Sequence, residues 1–222
     1  MGKIDIKGDI VSDDVGSFYE WFGMSSTYPK LVQDAIANDE DEEITLNIAS
    51  NGGDVFAASE IYTMLKASGK RIVVNVQGLA ASAASVISMA GDTVRISPTA
   101  HIMIHKASTG IVGNSDDLEH QSAVLNSIDE SIALAYEMKT GLKQSELLDL
   151  MAKETWLNAK TAVDKGFADE IMFFENNEED IMVTNATHQL PSKSAIAKFK
   201  NMIATPKTNT LREQKLAILL EK

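Results

Sequence analysis

Two neighbouring stretches of this chain repeat one plan. Ile44-Thr-Leu-Asn-Ile-Ala-Ser50 alternates and clusters apolar residues like a strand, stops at Asn51-Gly-Gly-Asp54, and gives way to a helical pattern from Val55 to Ala67 with Ile61, Met64 and Leu65 on one face. Arg71-Ile-Val-Val-Asn-Val-Gln77 is a second strand pattern, and the small-residue run Gly78-Leu-Ala-Ala-Ser-Ala-Ala-Ser-Val-Ile-Ser-Met-Ala-Gly91 turns from it into a helix expected over 82–90. A strand, glycine turn and helix in immediate succession imply right-handed crossovers and mostly parallel pairing, which restricts the fold to the α/β class.

The remaining pattern extends this plan. Lys3–Lys7 reads as a short half-buried strand, and Val32, Ala35 and Ile36 recur at helical spacing after Pro29. Between them, Phe18, Tyr19, Trp21 and Phe22 are expected to be packing residues. Further strands are predicted at Thr93–Ser97 and His101–His105, either side of Pro98. A long helix follows from Ser115, read as its cap, to Lys139, with Leu118, Val124, Leu125, Ile128, Ile132, Ala135 and Met138 as its apolar stripe. Shorter helices over 145–153 and 159–165 precede a last strand near Phe167–Met172. Past Phe174 the composition shifts, first to Asn176-Asn-Glu-Glu-Asp180 and then to a mostly basic segment from Lys193. The expected division is therefore a domain over 1–174 and an appendage over 175–222, with helices at 194–203 and 211–220.

Composition narrows the function classes. A length of 222 residues suits one substantial core, and a formal charge of −12 argues against a nucleic-acid-binding surface over the whole molecule. The absence of cysteine removes disulfides, thiolate metal sites and a cysteine nucleophile. No signal-like N-terminus and no run of roughly 18 apolar residues is present, so a cytoplasmic protein without membrane contact is expected. His101, His105, His120 and His188 lack the spacing of a metalloprotease helix, and neither a metal nor another cofactor is expected.

The candidate chemistry starts at Ser82. A hydroxyl at a strand-to-helix turn lies beside backbone N–H groups that have no helical partner, one way to build an acyl-transfer site. Small residues also serve simply to let a helix pack closely, so the run alone leaves both readings open. His105 ends a strand and is a candidate base, while Gly52 and Gly53 end an earlier strand and can present backbone N–H groups without side chains in the way.

At these residues the sequence resembles the caseinolytic Clp peptidase family. Ser50-Asn-Gly-Gly53 is similar to that family's Ser-Pro-Gly-Gly turn, Gly78-Leu-Ala-Ala-Ser82 to its nucleophile motif, and Met103-Ile-His105 to its histidine motif. The likeness continues in order through Glu154-Thr-Trp-Leu-Asn-Ala159 and Gly166-Phe-Ala-Asp-Glu-Ile171, covering roughly residues 44–172. It implies a crotonase-like α/β fold of repeated β-β-α units, with a protruding strand-helix handle formed around Gly110–Gly113 and the long helix. It also implies Ser82 as nucleophile, His105 as base, the N–H groups of Gly53 and Ala83 as oxyanion donors, and Glu154 as triad acid where the family usually has aspartate.

The same resemblance implies a self-assembled ring or double ring around a chamber, with a protein or peptide substrate. Asn51 stands for the usual proline, the first strand starts almost at once where the family has an axial-gate segment that meets an ATPase, and the 18–22 insertion and long tail are unlike the housekeeping enzyme. These departures look more like the Clp-related peptidases of phage and prophage head-assembly clusters, which process capsid or scaffold precursors. An ATPase-dependent proteolytic subunit, a crotonase-type acyl-CoA enzyme and a catalytically silent assembly subunit are the competing expectations.

Overall fold

A computed structural model describes residues 2–173. The chain runs β1 (Gly2–Ile10), α1 (Asp13–Trp21), β2 (Ser26–Thr27), α2 (Pro29–Ala37), β3 (Glu43–Gly53), α3 (Val55–Ala67), β4 (Arg71–Ala81) and α4 (Ala83–Ser88). It continues through β5 (Thr93–Ile96), β6 (His101–Ile104), α5 (Ser115–Thr140), α6 (Gln144–Ala152), β7 (Thr155–Asn158), α7 (Ala159–Asp164) and β8 (Glu170–Ile171). The expected appendage over 175–222, with its two helices, lies outside the described residues.

The expected α/β architecture is present. The main sheet has the order β2-β1-β3-β4-β5-β8 with every neighbour parallel. Alternate residues of its inner strands point to the face that the helices cover: Ile6, Ile44, Leu46, Ile48, Val74 and Val76 are fully buried. Burying one such side chain is worth about 1.5–3 kcal/mol, so this stripe is the main drive for the fold. On the opposite face the register aligns Asp5, Asn47, Asn75, Arg95 and Glu170 in one polar row across five strands. Asn75 donates to Asn47 at 3.4 Å, and Asn47 donates to Asp5 at 3.1 Å.

The sheet forks at β4, and the fork positions the site. Val73–Val76 pair with β5, whereas Leu79–Ala81 pair with β6, which in turn pairs antiparallel with β7. The last rung, Ala81 opposite Met103, brings the residue after β4 beside the residues that leave β6. Helix α4 lies under this fork with all six of its residues buried, including Ser85 and Ser88, and packs against α3 and β3. Its four small residues, Ala83, Ala84, Ser85 and Ser88, let it pack closely between sheet and helix.

Several expectations are corrected. The aromatics at 18–22 lie in the second half of α1 and at its C-cap, Phe22, and three of them stay outside the core: Phe18 is 58%, Trp21 81% and Phe22 54% exposed. They stack on one another instead, Phe18 and Phe22 with ring centroids 4.7 Å apart and Trp21 and Phe22 4.8 Å apart. Helix α1 is an excursion between β1 and the edge strand β2, and it packs at that edge of the sheet. The cap of α5 is Asn114 rather than Ser115, because the Asn114 side chain accepts from the N–H groups of Asp116 and Asp117 while Asp117 accepts from the Asn114 N–H. The segment from His105 to Asn114 contains no strand. Residues 155–158 form β7, a strand whose brevity left no periodic signal.

Candidate active site

Ser82 sits between β4 and α4 with φ 54° and ψ −124°, a conformation that side chains other than glycine rarely adopt. Such a sharp strand-to-helix turn exposes the hydroxyl in front of the helix. The turn is held from both sides. The Ser82 N–H donates to the Met103 carbonyl of β6 at 2.9 Å, and the Ser82 carbonyl accepts from the N–H of Ser85 at 2.9 Å and of Val86 at 3.4 Å.

The same turn places Ser82 Oγ 2.7 Å from His105 Nε2. With Oγ–H as donor, Nε2 is the bare nitrogen of a neutral imidazole, the arrangement in which the ring can take the proton. His105 is half-buried and directly follows β6. The chain beyond it is pinned by Asp129, a carboxylate of α5 that is 2% exposed, accepts from the Ala107 N–H at 2.8 Å and faces Lys106 Nζ at 3.6 Å.

The glycine turn of β3 completes one wall. A Cβ on Gly52, whose φ is 96°, would lie 2.7 Å from Ser82 Cβ and 2.9 Å from the Ala83 nitrogen. Gly53, with φ 148°, could carry no Cβ either, since it would come within 2.1 Å of the Ile10 carbonyl oxygen. Of the two, Gly52 is the residue that lets β3 approach the serine turn, and Gly53 and Ala83 line the same pocket as Ser82 and His105. That pocket has a volume of about 390 Å³ and an apolar floor of Val86, Ile128, Ile132 and Tyr136. A larger hollow of about 710 Å³ lies over Asn75, Arg95 and Glu170 and includes neither Ser82 nor His105.

Glu154 is placed differently. The β6–β7 register pairs Ile104 with Thr155, so one further step along both strands sets His105 against Glu154. The ladder does not continue, because Glu154 turns at φ 48°. Its exposed carboxylate accepts from Trp156 Nε1 at 3.2 Å, and among the described residues His105 makes its side-chain hydrogen bond through Nε2 alone. Thus the fold brings Ser82, His105, Gly53 and Ala83 into one site and leaves Glu154 adjacent but turned to its own neighbour.

Sequence reasoning missed two contributors. Tyr136 is 1% exposed at the pocket floor, while Met138, assigned to the apolar stripe, is 73% exposed. The helical period alone could have found this, since Tyr136 follows Ile132 and Ile128 at intervals of four. Ser85 had no local signal. Among the described residues no helix is long and apolar enough to cross a membrane.

Comparison with known proteins gives the family. The family model described as Clp protease matches residues 27–175. An ATP-dependent Clp protease proteolytic subunit of Deinococcus radiodurans is 31% identical over 134 residues, spanning 60% of this chain and 66% of the relative. A proteolytic subunit 2 from Tropheryma whipplei is 27% identical over 61% of this chain and 76% of its own length, and a proteolytic subunit 1 from Chlamydia abortus is 31% identical over 61% and 73%. The family match takes in more than half of the sequence, including both β-strand ends that carry Ser82 and His105: the chain belongs to the Clp protease family, a family of serine-type peptidases.

Proposed function

We propose that this chain is a serine endopeptidase and the subunit of a Clp-type proteolytic chamber. The observation that carries the reading is the 2.7 Å hydrogen bond between Ser82 Oγ and His105 Nε2 at a positive-φ strand-to-helix turn. Ser82 Oγ attacks the peptide carbonyl as His105 takes its proton, and the imidazolium returns that proton to the leaving amine. The N–H groups of Gly53 and Ala83 hold the tetrahedral oxyanion, and water then hydrolyses the acyl-enzyme by the same route. Glu154 is the acid of the triad once its carboxylate leaves the Trp156 indole for His105 Nδ1. A crotonase-type acyl-CoA reaction has no use for this serine–histidine pair.

Assembly is part of the proposal. Val112 and Leu118 stand exposed before and along the first turns of α5, at 103% and 48%, while Ile132 and Tyr136 near its other end are buried. A second copy covering that exposed half is the arrangement in which rings of the chain interlock. The relatives' printed names support a chamber served by an ATPase. Processing of phage capsid or scaffold precursors is the second reading, supported by the aromatic excursion α1, whose exposed Phe18, Trp21 and Phe22 offer a surface for a dedicated protein substrate.

Labelling of the purified protein by a fluorophosphonate probe, with the adduct mapped by peptide mass, tests the chemistry. The expected result is a single adduct on Ser82 that is lost in His105→Ala; no adduct, or one elsewhere, refutes the assignment. Native mass measurement tests the ring. Hydrolysis of a folded protein with and without a Clp ATPase and ATP then separates the two substrate readings.

A further inference from the structure

The peptide group between Ser82 and Ala83 has a second line of support behind it. Ser85 Oγ lies 2.6 Å from the Ser82 carbonyl oxygen, and the Tyr136 hydroxyl lies 2.8 Å from Ser85 Oγ. A carbonyl oxygen only accepts, so the single Ser85 hydroxyl proton is committed to Ser82. Tyr136 must then be the donor to Ser85. The result is a directed chain, Tyr136 O–H to Ser85 O–H to the Ser82 carbonyl, crossing from α5 to α4.

Both hydroxyls are sealed from water. Ser85 is 0% and Tyr136 1% exposed, and the Tyr136 ring packs on buried Phe167 with centroids 5.5 Å apart. Burial holds the Tyr136 phenol well above its ordinary pKa, so it stays a donor throughout the working range. A buried hydroxyl chain of this kind is more than packing, because it ends on the peptide whose N–H is that of Ala83. Hydrogen bonds to a peptide carbonyl fix the plane of the group and polarise its N–H.

We infer that Tyr136 and Ser85 are positioning residues that lock the Ser82–Ala83 peptide with its N–H turned toward the oxyanion. The inference rests on the proposed roles of Ser82 as nucleophile and Ala83 N–H as oxyanion donor. It adds that the long helix, through Tyr136, sets the geometry of the oxyanion hole. Without the chain, the strained Ser82 turn loses one of the bonds that over-determine it, and the peptide is freer to tilt.

The test uses full-length wild type, Tyr136→Phe, Ser85→Ala and the double variant, with kcat and KM on a fluorogenic peptide and the rate of fluorophosphonate labelling. Both single changes remove a hydroxyl and keep the remaining shape. Losses should be a fraction of the ~100- to 1,000-fold that follows removal of an oxyanion donor: about 10-fold in kcat for Ser85→Ala and about 3-fold for Tyr136→Phe, with KM unchanged and labelling slowed in step. Because Tyr136 acts through Ser85, adding Tyr136→Phe to Ser85→Ala should cost nothing further. Wild-type kcat in both single variants, additive losses in the double, or a rise in KM in place of a fall in kcat would each overturn the inference. Failure of the underlying reading looks different: wild type itself would neither cleave the peptide nor take the label.

Discussion

The Ser82 turn and the Glu154 turn flank His105, and both force a non-glycine residue to positive φ, 54° and 48°. Their supports differ. Ser82 is bonded to Met103 on a neighbouring strand, to the first turn of α4 and to His105, so three separate elements agree on its position. Glu154 is tied within its own stretch of chain, its N–H to the Met151 carbonyl at 3.1 Å and its carboxylate to Trp156. A residue held in a sparsely populated backbone conformation costs of order 1–3 kcal/mol, a strain that persists only when surrounding contacts over-determine it. The comparison separates a fixed element, the proposed nucleophile, from an adjustable one, the proposed acid.

The sharpest way to break that contrast is Ser82→Ala, expected to lower peptide hydrolysis by at least about 1,000-fold with the fold intact, since triad members act as a unit. Circular dichroism and native mass would confirm the assembly, and retention of more than roughly a few per cent of turnover, far above what a triad without its nucleophile keeps, removes Ser82 from the mechanism.

Gly52→Ala probes the wall that faces the fixed turn. The new methyl would sit 2.7 Å from Ser82 Cβ on a residue with φ 96°, so β3 or the serine turn must move. Activity should fall about 100-fold, as for a lost oxyanion donor, and the melting temperature should drop as well. Wild-type kcat would mean that the turn tolerates displacement and is less fixed than its bonds imply.

At the adjustable end, Glu154→Gln should reduce kcat by about 10- to 100-fold, less than loss of Ser82, because the acid orients the base without touching substrate. Glu154→Asp should keep near-normal activity if the carboxylate works on His105. If Gln matches wild type, the site is a Ser–His dyad.

The smallest effect is expected for Trp156→Phe, which removes the indole N–H that holds the Glu154 carboxylate. Turnover should stay within about twofold of wild type or rise, since an exposed hydrogen bond contributes about 1 kcal/mol or less. A large loss would show that Trp156 contributes to the site itself and that the acid is held, not waiting.

Much of this was legible without coordinates, because the signals were local. The apolar runs at 44–50 and 71–77, each followed by a glycine turn and a helical period, determined a parallel α/β sheet. The resemblance of several short motifs, in order, to those of the Clp peptidase family then singled out Ser82 and His105, residues at the ends of strands that the periodicity had located. The aromatic cluster at 18–22 misled for the opposite reason: composition says that such side chains prefer burial, but only topology says whether a sheet face lies over them.

What the tertiary structure alone decided are relations between distant residues. Nothing local to Ser85 points to Tyr136, 51 positions away, and nothing local to Gly52 says that its missing Cβ is what admits the serine turn. Likewise, Glu154 faces Trp156 because the backbone leaves the β7 ladder one residue before Thr155. Periodicity records which way a side chain points from its own element, while the distances that make chemistry depend on how elements meet, and here they meet where β4 changes partners from β5 to β6.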